Sequence, residues 1–328
     1  MNRTKVVDLS SVRLTNYRAI WEHIRANNSA TIPQISKAID LSLPTVTRGV
    51  DYGVESGILC EAEIVGAERG RKAQSYCINA DYTHALLIDV SPDSIYFKVH
   101  NFLGESVKEE VISVDDSNVL SGIDEITDSC VDSDPNISII AIAFSGVVHN
   151  DTIISSWSYP SLDGMNLVER ISAKTGKTVV ISNDVQVSAL AAHHYEIDAE
   201  KGITAVFVFG EGRHGAGILV DGRLLKSATG AIGDIGSIPS RYEDKNSFEF
   251  HADQLLALIS IVNPDKVILH EYGNKQMCPS LIDEVSPKIR NCTVPEFIVG
   301  KNIISDSFMG LSLLCREKTQ SVIESNMV

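Results

Sequence analysis

From Gly210 to Ser237 the chain reads GEGRHGAGILVDGRLLKSATGAIGDIGS, with glycine at 210, 212, 215, 217, 222, 230, 233 and 236. Apolar residues alternate around this cluster, Val206 and Val208 before it and Ile218 and Val220 inside it. Its first half is therefore expected to form a β-hairpin whose returning strand ends at the tight-turn dipeptide Asp221-Gly222. Glycine this dense weakens a strand, and it is used where backbone must bend or let a ligand come close. Two readings follow: a set of tight turns in a β-rich domain, or a loop system shaped around a bound group.

The order of the parts favours the second. GAGILVDGRLL followed by GAIGDIGS resembles the signature of the ROK family, repressors and sugar kinases on an actin-like fold, over Gly215 to Gly236. The family pattern is a glycine turn, a strand, Asp-Gly, then Gly-Glu-x-Gly-His. Asp234 stands here where the family has Glu, and Ser237 where it has His. The resemblance implies an α/β fold with an actin-like (ribonuclease H-like) two-lobed body.

A chain of 328 residues can hold two or three domains with cores of their own. The longest apolar runs, such as Ile139 to Phe144, are too short to span a bilayer, and MNRTKVVDLSS has no signal-peptide core. Cysteines at 60, 77, 130, 278, 292 and 315 form no CxxC pair, so neither a disulfide framework nor a zinc site is expected, and the protein reads as reduced and cytoplasmic. The net charge of −15 is divided unevenly: residues 1–80 carry +2 and the remainder −17. An acidic body repels DNA and leaves the first 80 residues to make any contact with it.

Those residues read as a winged helix-turn-helix. Leu14, Tyr17, Trp21 and Ile24 recur at helical spacing up to Asn27-Asn28. Thr31 is placed to cap a second helix with Ile32, Ile35, Ala38 and Ile39 inward. Asp40-Leu41 turns the chain, and Ser42 caps a third helix, with Pro44 in its first turn and Leu43, Val46, Val50 and Val54 inward. Gly57 ends it, and strands at 58–64 and 74–78 flank a basic loop containing Arg69, Arg71 and Lys72. In such a module the third helix enters the major groove. Pro44, Thr45, Thr47 and Arg48 are then the DNA-facing residues, Arg48 at guanine and the threonines at phosphate or a thymine methyl. Arg69, Arg71 and Lys72 lie on the DNA backbone or in the minor groove. The competing reading is a small helical protein-interaction module. The segment also resembles the N-terminal head of ROK repressors, which the family's sugar kinases lack.

From residue 82 on, strands followed by helices suggest α/β layers, with no repeat visible in the sequence. The resemblance implies a sugar-type effector site at Asn183, Asp184, Asp234, Ser237 and Glu249. Asn183-Asp184 matches an Asn-Asp pair that binds sugar hydroxyls, and Glu249 is set against a last sugar-binding Glu. The alternative for Asn183-Asp184 is a simple helix cap. Family kinases open the body with Asp-x-Gly-Gly-Thr to cradle phosphate, where this chain has Asp89-Val90-Ser91-Pro92-Asp93. Their late Gly-Gly is here His270-Glu271-Tyr272, and Glu211 disturbs a further phosphate turn. The family's zinc-binding cysteines are replaced by Arg241-Tyr242-Glu243-Asp244-Lys245, and no cofactor or metal is expected.

The sequence thus predicts a DNA-binding regulator, a repressor of carbohydrate-related genes without kinase activity. Expected partners are double-stranded operator DNA and a sugar or sugar-phosphate effector, and the chain is expected to form a homodimer or homotetramer. The expected division is residues 1–80, 81–200 and 201–304, with a C-terminal helix at 305–328 packing back on the first lobe. Two other functions stay open: a body that serves only oligomerisation or a protein partner, and a sugar kinase with an added head.

Overall fold

The computed structural model describes residues 9–62, 73–196, 201–210, 213–238, 241–272, 276–290, 293–300 and 303–327. The N-terminal module opens with α1 (Leu9–Ala26), β1 (Ala30–Thr31), α2 (Ile32–Ile39) and α3 (Leu43–Glu55), followed by β2 (Leu59–Glu61) and β3 (Ser75–Ile78). Its local signals act as the residue types require. Asn28 and Asp40 take left-handed backbone between the helices. Thr31 forms a capping box with Gln34, and the Ser42 hydroxyl accepts from the Thr45 N–H. The strands pair in the order β1-β3-β2, giving the three helices and small sheet of a winged helix-turn-helix.

The inward face of α3 differs from expectation. Leu43 is 51% exposed and Val54 38%, while Val46, Gly49, Val50 and Gly53 are buried. A Cβ at Gly49 would lie 2.5 Å from Ile20 Cδ1, and one at Gly53 2.6 Å from Leu59 Cδ1. Small residues let α3 approach α1 and β2 closely, which rotates Leu43 and Val54 outward. Ala38 is likewise exposed on α2. The basic loop with Arg69, Arg71 and Lys72 lies outside the described residues.

The body begins with β4 (His84–Ser91), β5 (Ser94–His100), β6 (Ser106–Ser113), α4 (Val119–Ser133) and β7 (Ile137–Phe144). A short hairpin, β8 (Val147–His149) and β9 (Thr152–Ser155), leads to α5 (Leu167–Thr175), β10 (Thr178–Asn183) and α6 (Asp184–Glu196). Then come β11 (Ile203–Gly210), β12 (Arg213–Val220), β13 (Arg223–Leu224), α7 (Phe248–Val262), β14 (Lys266–Glu271), α8 (Cys278–Val285), β15 (Glu296–Val299) and α9 (Ile303–Met327).

Among the described residues these strands form two sheets with one plan, β6-β5-β4-β7-β10 and β13-β12-β11-β14-β15. In each, the first strand pairs antiparallel with a hairpin on one side and parallel with crossover strands on the other. The duplication that defines an actin-like body is thus present in topology, although no sequence repeat betrays it.

One face of the first sheet packs on α4 and α5 through Ile88, Ile123, Ile142 and Ile171. One face of the second packs on α7 and α8 through Phe207, Leu255 and Leu281. The inner faces exchange helices. Following β10, α6 covers the second sheet with Val185, Ala189 and Ala192 against Val206, Val208 and Ile268. The later helix α9 covers the first sheet, with Phe308 and Leu311 against Leu87, Ile139 and Ala141. The two helices meet at Gly310, where a Cβ would fall 2.0 Å from the Val187 carbonyl oxygen. Farther along α9, Ile323 is buried in the core of the N-terminal module with Ile20, Ile24, Val50 and Ile58. One helix therefore touches the first sheet, α6 and the N-terminal module.

Candidate effector cleft and nucleic-acid interface

On α3, Pro44 and Arg48 are exposed and Thr45 and Thr47 half-buried. Three of these side chains already make hydrogen bonds. The Thr45 hydroxyl lies 2.8 Å from that of Ser42, and the Thr47 hydroxyl donates to the Leu43 carbonyl at 2.9 Å. Arg48 uses Nε on the Pro44 carbonyl at 3.2 Å, which folds its stem along the helix and turns the remaining guanidinium N–H groups to solvent. Of the four, Arg48 offers the strongest donors for a base edge.

The second site is a cleft of about 180 Å³ between the two sheets. Asn183, Asp184 and Asp234 all line it, although far apart in sequence. Asn183 ends β10 and caps α6, its Oδ1 accepting from the Gln186 N–H at 3.0 Å. Its Nδ2 donates to the Gly146 carbonyl at 2.8 Å and to Asp184 Oδ1 at 3.1 Å. The cap and the site are thus one arrangement. Asn183 spends its amide on fixing Asp184, whose carboxylate is held nearly buried at the floor and also accepts from the Val185 N–H.

The opposite wall comes from the glycine-rich stretch. Gly233 has φ +82°, and a Cβ there would stand 1.7 Å from the Ala216 carbonyl oxygen. The Ala216 N–H donates to the Gly233 carbonyl at 2.7 Å. This close seam lays residues 230–234 along β12 and brings Asp234 to the cleft. At Gly230, with φ +77°, a Cβ would meet the Val148 carbonyl at 2.3 Å, so the same segment also reaches the β8–β9 hairpin.

Glu249 lies apart from the cleft lining. It is exposed in the first turn of α7 and absent from the lining. Ser247 caps that helix, and the phase so fixed turns Phe250 and His251 inward and Glu249 to solvent. The Ser237 side chain lies outside the described residues.

Two lining residues give no motif signal. Trp157 follows β9 and is 92% exposed at the mouth, with Lys245 Nζ 5.6 Å from its ring. A large aromatic face beside carboxylates and hydroxyls is a stacking platform for a ligand with one apolar and one polar side. The available clue was a tryptophan shortly before the Pro160 turn. The other is His214 on β12, packed edge-on to Phe250 at 5.0 Å. Burial, helped by the charge of Lys245, pushes its pKa down to about 4, so the ring is neutral near pH 7.

Residues 88–249 match the family profile described as ROK family. The chain carries a ROK family domain. A ROK relative is the xylose repressor of Caldicellulosiruptor bescii, 24% identical over 83% of this chain and 71% of its own length. The xylose repressor of Staphylococcus xylosus and the transcriptional repressor Mlc and dual regulator NagC of Escherichia coli are matched at 22%, 24% and 22% identity over 59%, 58% and 60% of their lengths, so the chain spans under two thirds of those proteins. A solved ROK family transcriptional regulator, a homologue of Escherichia coli Mlc, superposes with TM-score 0.63 at 17% identity, over 94% of this chain and 99% of that one. The ROK hexokinase of Thermus thermophilus shares the fold at TM-score 0.55 and 15% identity, over 70% and 97%.

Against ROK kinases, the turn between β4 and β5 is closed by Pro92-Asp93, with the Ser91 hydroxyl donating to the buried Asp89 at 2.7 Å. The Tyr159 hydroxyl donates to the Ser91 carbonyl beneath it. At the end of β14, Glu271 accepts from the Met277 N–H at 2.6 Å and so occupies the start of α8. Where ROK relatives carry zinc-binding cysteines, Arg241 stacks over Tyr242 and reaches Asp253 at 3.3 Å. Those residues do not fit a tetrahedral zinc site, which takes Cys and His donors. Among the described residues no three His, Cys, Asp or Glu side chains converge as metal ligands.

Proposed function

We propose that this chain is a DNA-binding transcriptional repressor of carbohydrate-related genes, with a sugar or sugar phosphate as effector in the cleft and no phosphoryl transfer. The observation that carries the reading is the joining of a winged helix-turn-helix to a ROK domain whose phosphate turns are closed. Pro92 removes an amide donor, and Asp93 and Glu271 put negative charge where a nucleotide phosphate would need the opposite.

Effector and DNA communicate through α9. Asp184 opens α6 at the cleft floor, α6 packs on α9 at Gly310, and Ile323 of α9 lies in the core of the N-terminal module. A ligand that binds one lobe closure better than another shifts that equilibrium, and the shared helices pass the shift to the module. We take residues 1–80 as the DNA-binding head and 81–200 and 201–304 as the lobes. A homodimer or homotetramer would set two heads on a two-fold axis, over half-sites a helical turn or more apart.

The test is retention of genomic DNA fragments at two salt concentrations by the full chain and by Arg48→Ala. Selective fragments lost with the variant support the reading. Retention without selectivity, steep in salt, would reduce it to phosphate contact. A second reading, a body used only for oligomerisation, is favoured by Asn183 serving as a helix cap. Trp157 fluorescence separates the two: quenching by one sugar class, abolished in Asp184→Asn, supports the effector site, whereas a flat response to every sugar and sugar phosphate sinks it.

A further inference from the structure

The N-terminal module contains a pair of thiols that neither the DNA-binding nor the effector reading uses. Cys60 on β2 and Cys77 on β3 are register partners. The neighbouring bonds, Asn79 N–H to the Ile58 carbonyl and Ala62 N–H to the Ser75 carbonyl, both 2.9 Å, place Cys60 and Cys77 at a hydrogen-bonded position of the ladder. There the Cα atoms of antiparallel partners stand about 5.5 Å apart, inside the ~4.4–6.8 Å range that a disulfide spans. Both side chains emerge on the same face, Sγ to Sγ at 2.9 Å. Each is only partly buried, unlike Cys130, Cys278 and Cys315, which are buried.

We propose that Cys60 and Cys77 form a peroxide-reactive dithiol that closes to a disulfide across β2 and β3. The Cys60 thiolate attacks one oxygen of hydrogen peroxide; the O–O bond breaks and hydroxide leaves, taking up a proton to become water. Cys60 is then a sulfenic acid. Cys77 sulfur attacks Cys60 Sγ, the Cys77 proton goes to the departing oxygen, and a second water is released. Two thiols are oxidised and one peroxide is reduced to two waters. Either sulfur of the pair can attack first, and the step is written with Cys60. Burial and the adjacent sulfur push the Cys77 thiol up. The bond staples the two strands that carry the wing and is reversed by a thiol reductant.

The chemistry does not depend on the function proposed above, so its test is independent. The reduced full chain is treated with hydrogen peroxide under native conditions, alkylated and digested. The expected result is a loss of two hydrogens per chain, a single Cys60–Cys77 linked peptide, and return of both thiols with dithiothreitol. In Cys77→Ser, Cys60 should instead be trapped as a sulfenic acid by dimedone. The same treatment in urea should lose the pairing preference, which shows that the sheet imposes it. Linkage scattered among the other cysteines in the native protein, or both thiols still free for alkylation after peroxide, would overturn the proposal.

Discussion

Replacing Ile323 by alanine tests whether the N-terminal module depends on α9. The side chain is 7% exposed and sits among Ile20, Ile24, Val50 and Ile58. Truncating a buried isoleucine to alanine costs about 2–5 kcal/mol, with the upper part of that range reached where the site cannot collapse. Beside Ile323 there is already a space of about 90 Å³ lined by Leu14, Trp21, Ile78 and Arg316, so neighbours have room to settle. The lower part of the range follows, about 2–3 kcal/mol. A module of this size is stable by only about 0.05–0.15 kcal/mol per residue, so the loss is a large fraction of the total. With a urea slope of about 1 kcal/mol/M for so small a unit, the midpoint falls by about 2–3 M. The chain has two tryptophans, and Trp157→Phe leaves Trp21, packed between Tyr17 and Tyr52, as the sole reporter of this region. Urea titrations of Trp157→Phe with and without Ile323→Ala give the shift, and Ser321→Ala, exposed on the same helix, serves as control. A Trp21 midpoint that does not move, or that moves equally with Ser321→Ala, would refute the idea that α9 completes this core.

Gly233→Ala should abolish effector-dependent quenching of Trp157, because a Cβ at φ +82° and 1.7 Å from the Ala216 carbonyl must open the seam that carries Asp234; retained quenching would show that the seam does not shape the cleft. Gly310→Ala should lower the melting temperature by several degrees, since its Cβ meets backbone of α6 at 2.0 Å, as followed by calorimetry. Acid should destabilise the protein through His270. Its pKa is pushed from 6.5 down to about 4 by burial, which outweighs the Asp306 carboxylate at 3.3 Å. The folded state thus binds a proton less readily than the unfolded one. The contribution is present in full above pH 6.5 and is lost as pH falls from there toward 4, a difference of about 3 kcal/mol. His270→Gln should flatten that part of the stability–pH curve.

Local chemistry was readable in the sequence wherever a residue type answers to its own backbone. Thr31 and Ser42 at helix starts, Asp40 and Gly57 at positive φ, and the Asp221-Gly222 turn all act within a few residues of themselves. What could not be read depends on partners distant in the chain. Gly49 and Gly53 look like weak points of a helix, yet they are contact surfaces, because the identity of Ile20 and Leu59 as neighbours is a tertiary fact. Glu249 faces solvent because the Ser247 cap fixes the phase of α7, and alignment to a motif does not fix that phase. Trp157 offers no spacing to recognise; only the approach of β9 to β12 reveals it. The crossing of α6 to the second sheet was equally invisible, since that helix packs on strands other than the one it follows, whereas a return of the C-terminal helix to the first lobe was an expectation of the family resemblance.

The insertion of Ile323 has a consequence for synthesis. Helix α3 is translated well before α9, which supplies Ile323 to the same core. Domains ordinarily fold as they emerge, N-terminal first, but this module reaches its full core only once α9 is made. A polypeptide abandoned before α9 carries α3 on a core that lacks Ile323. The arrangement ties completion of this core to synthesis through α9.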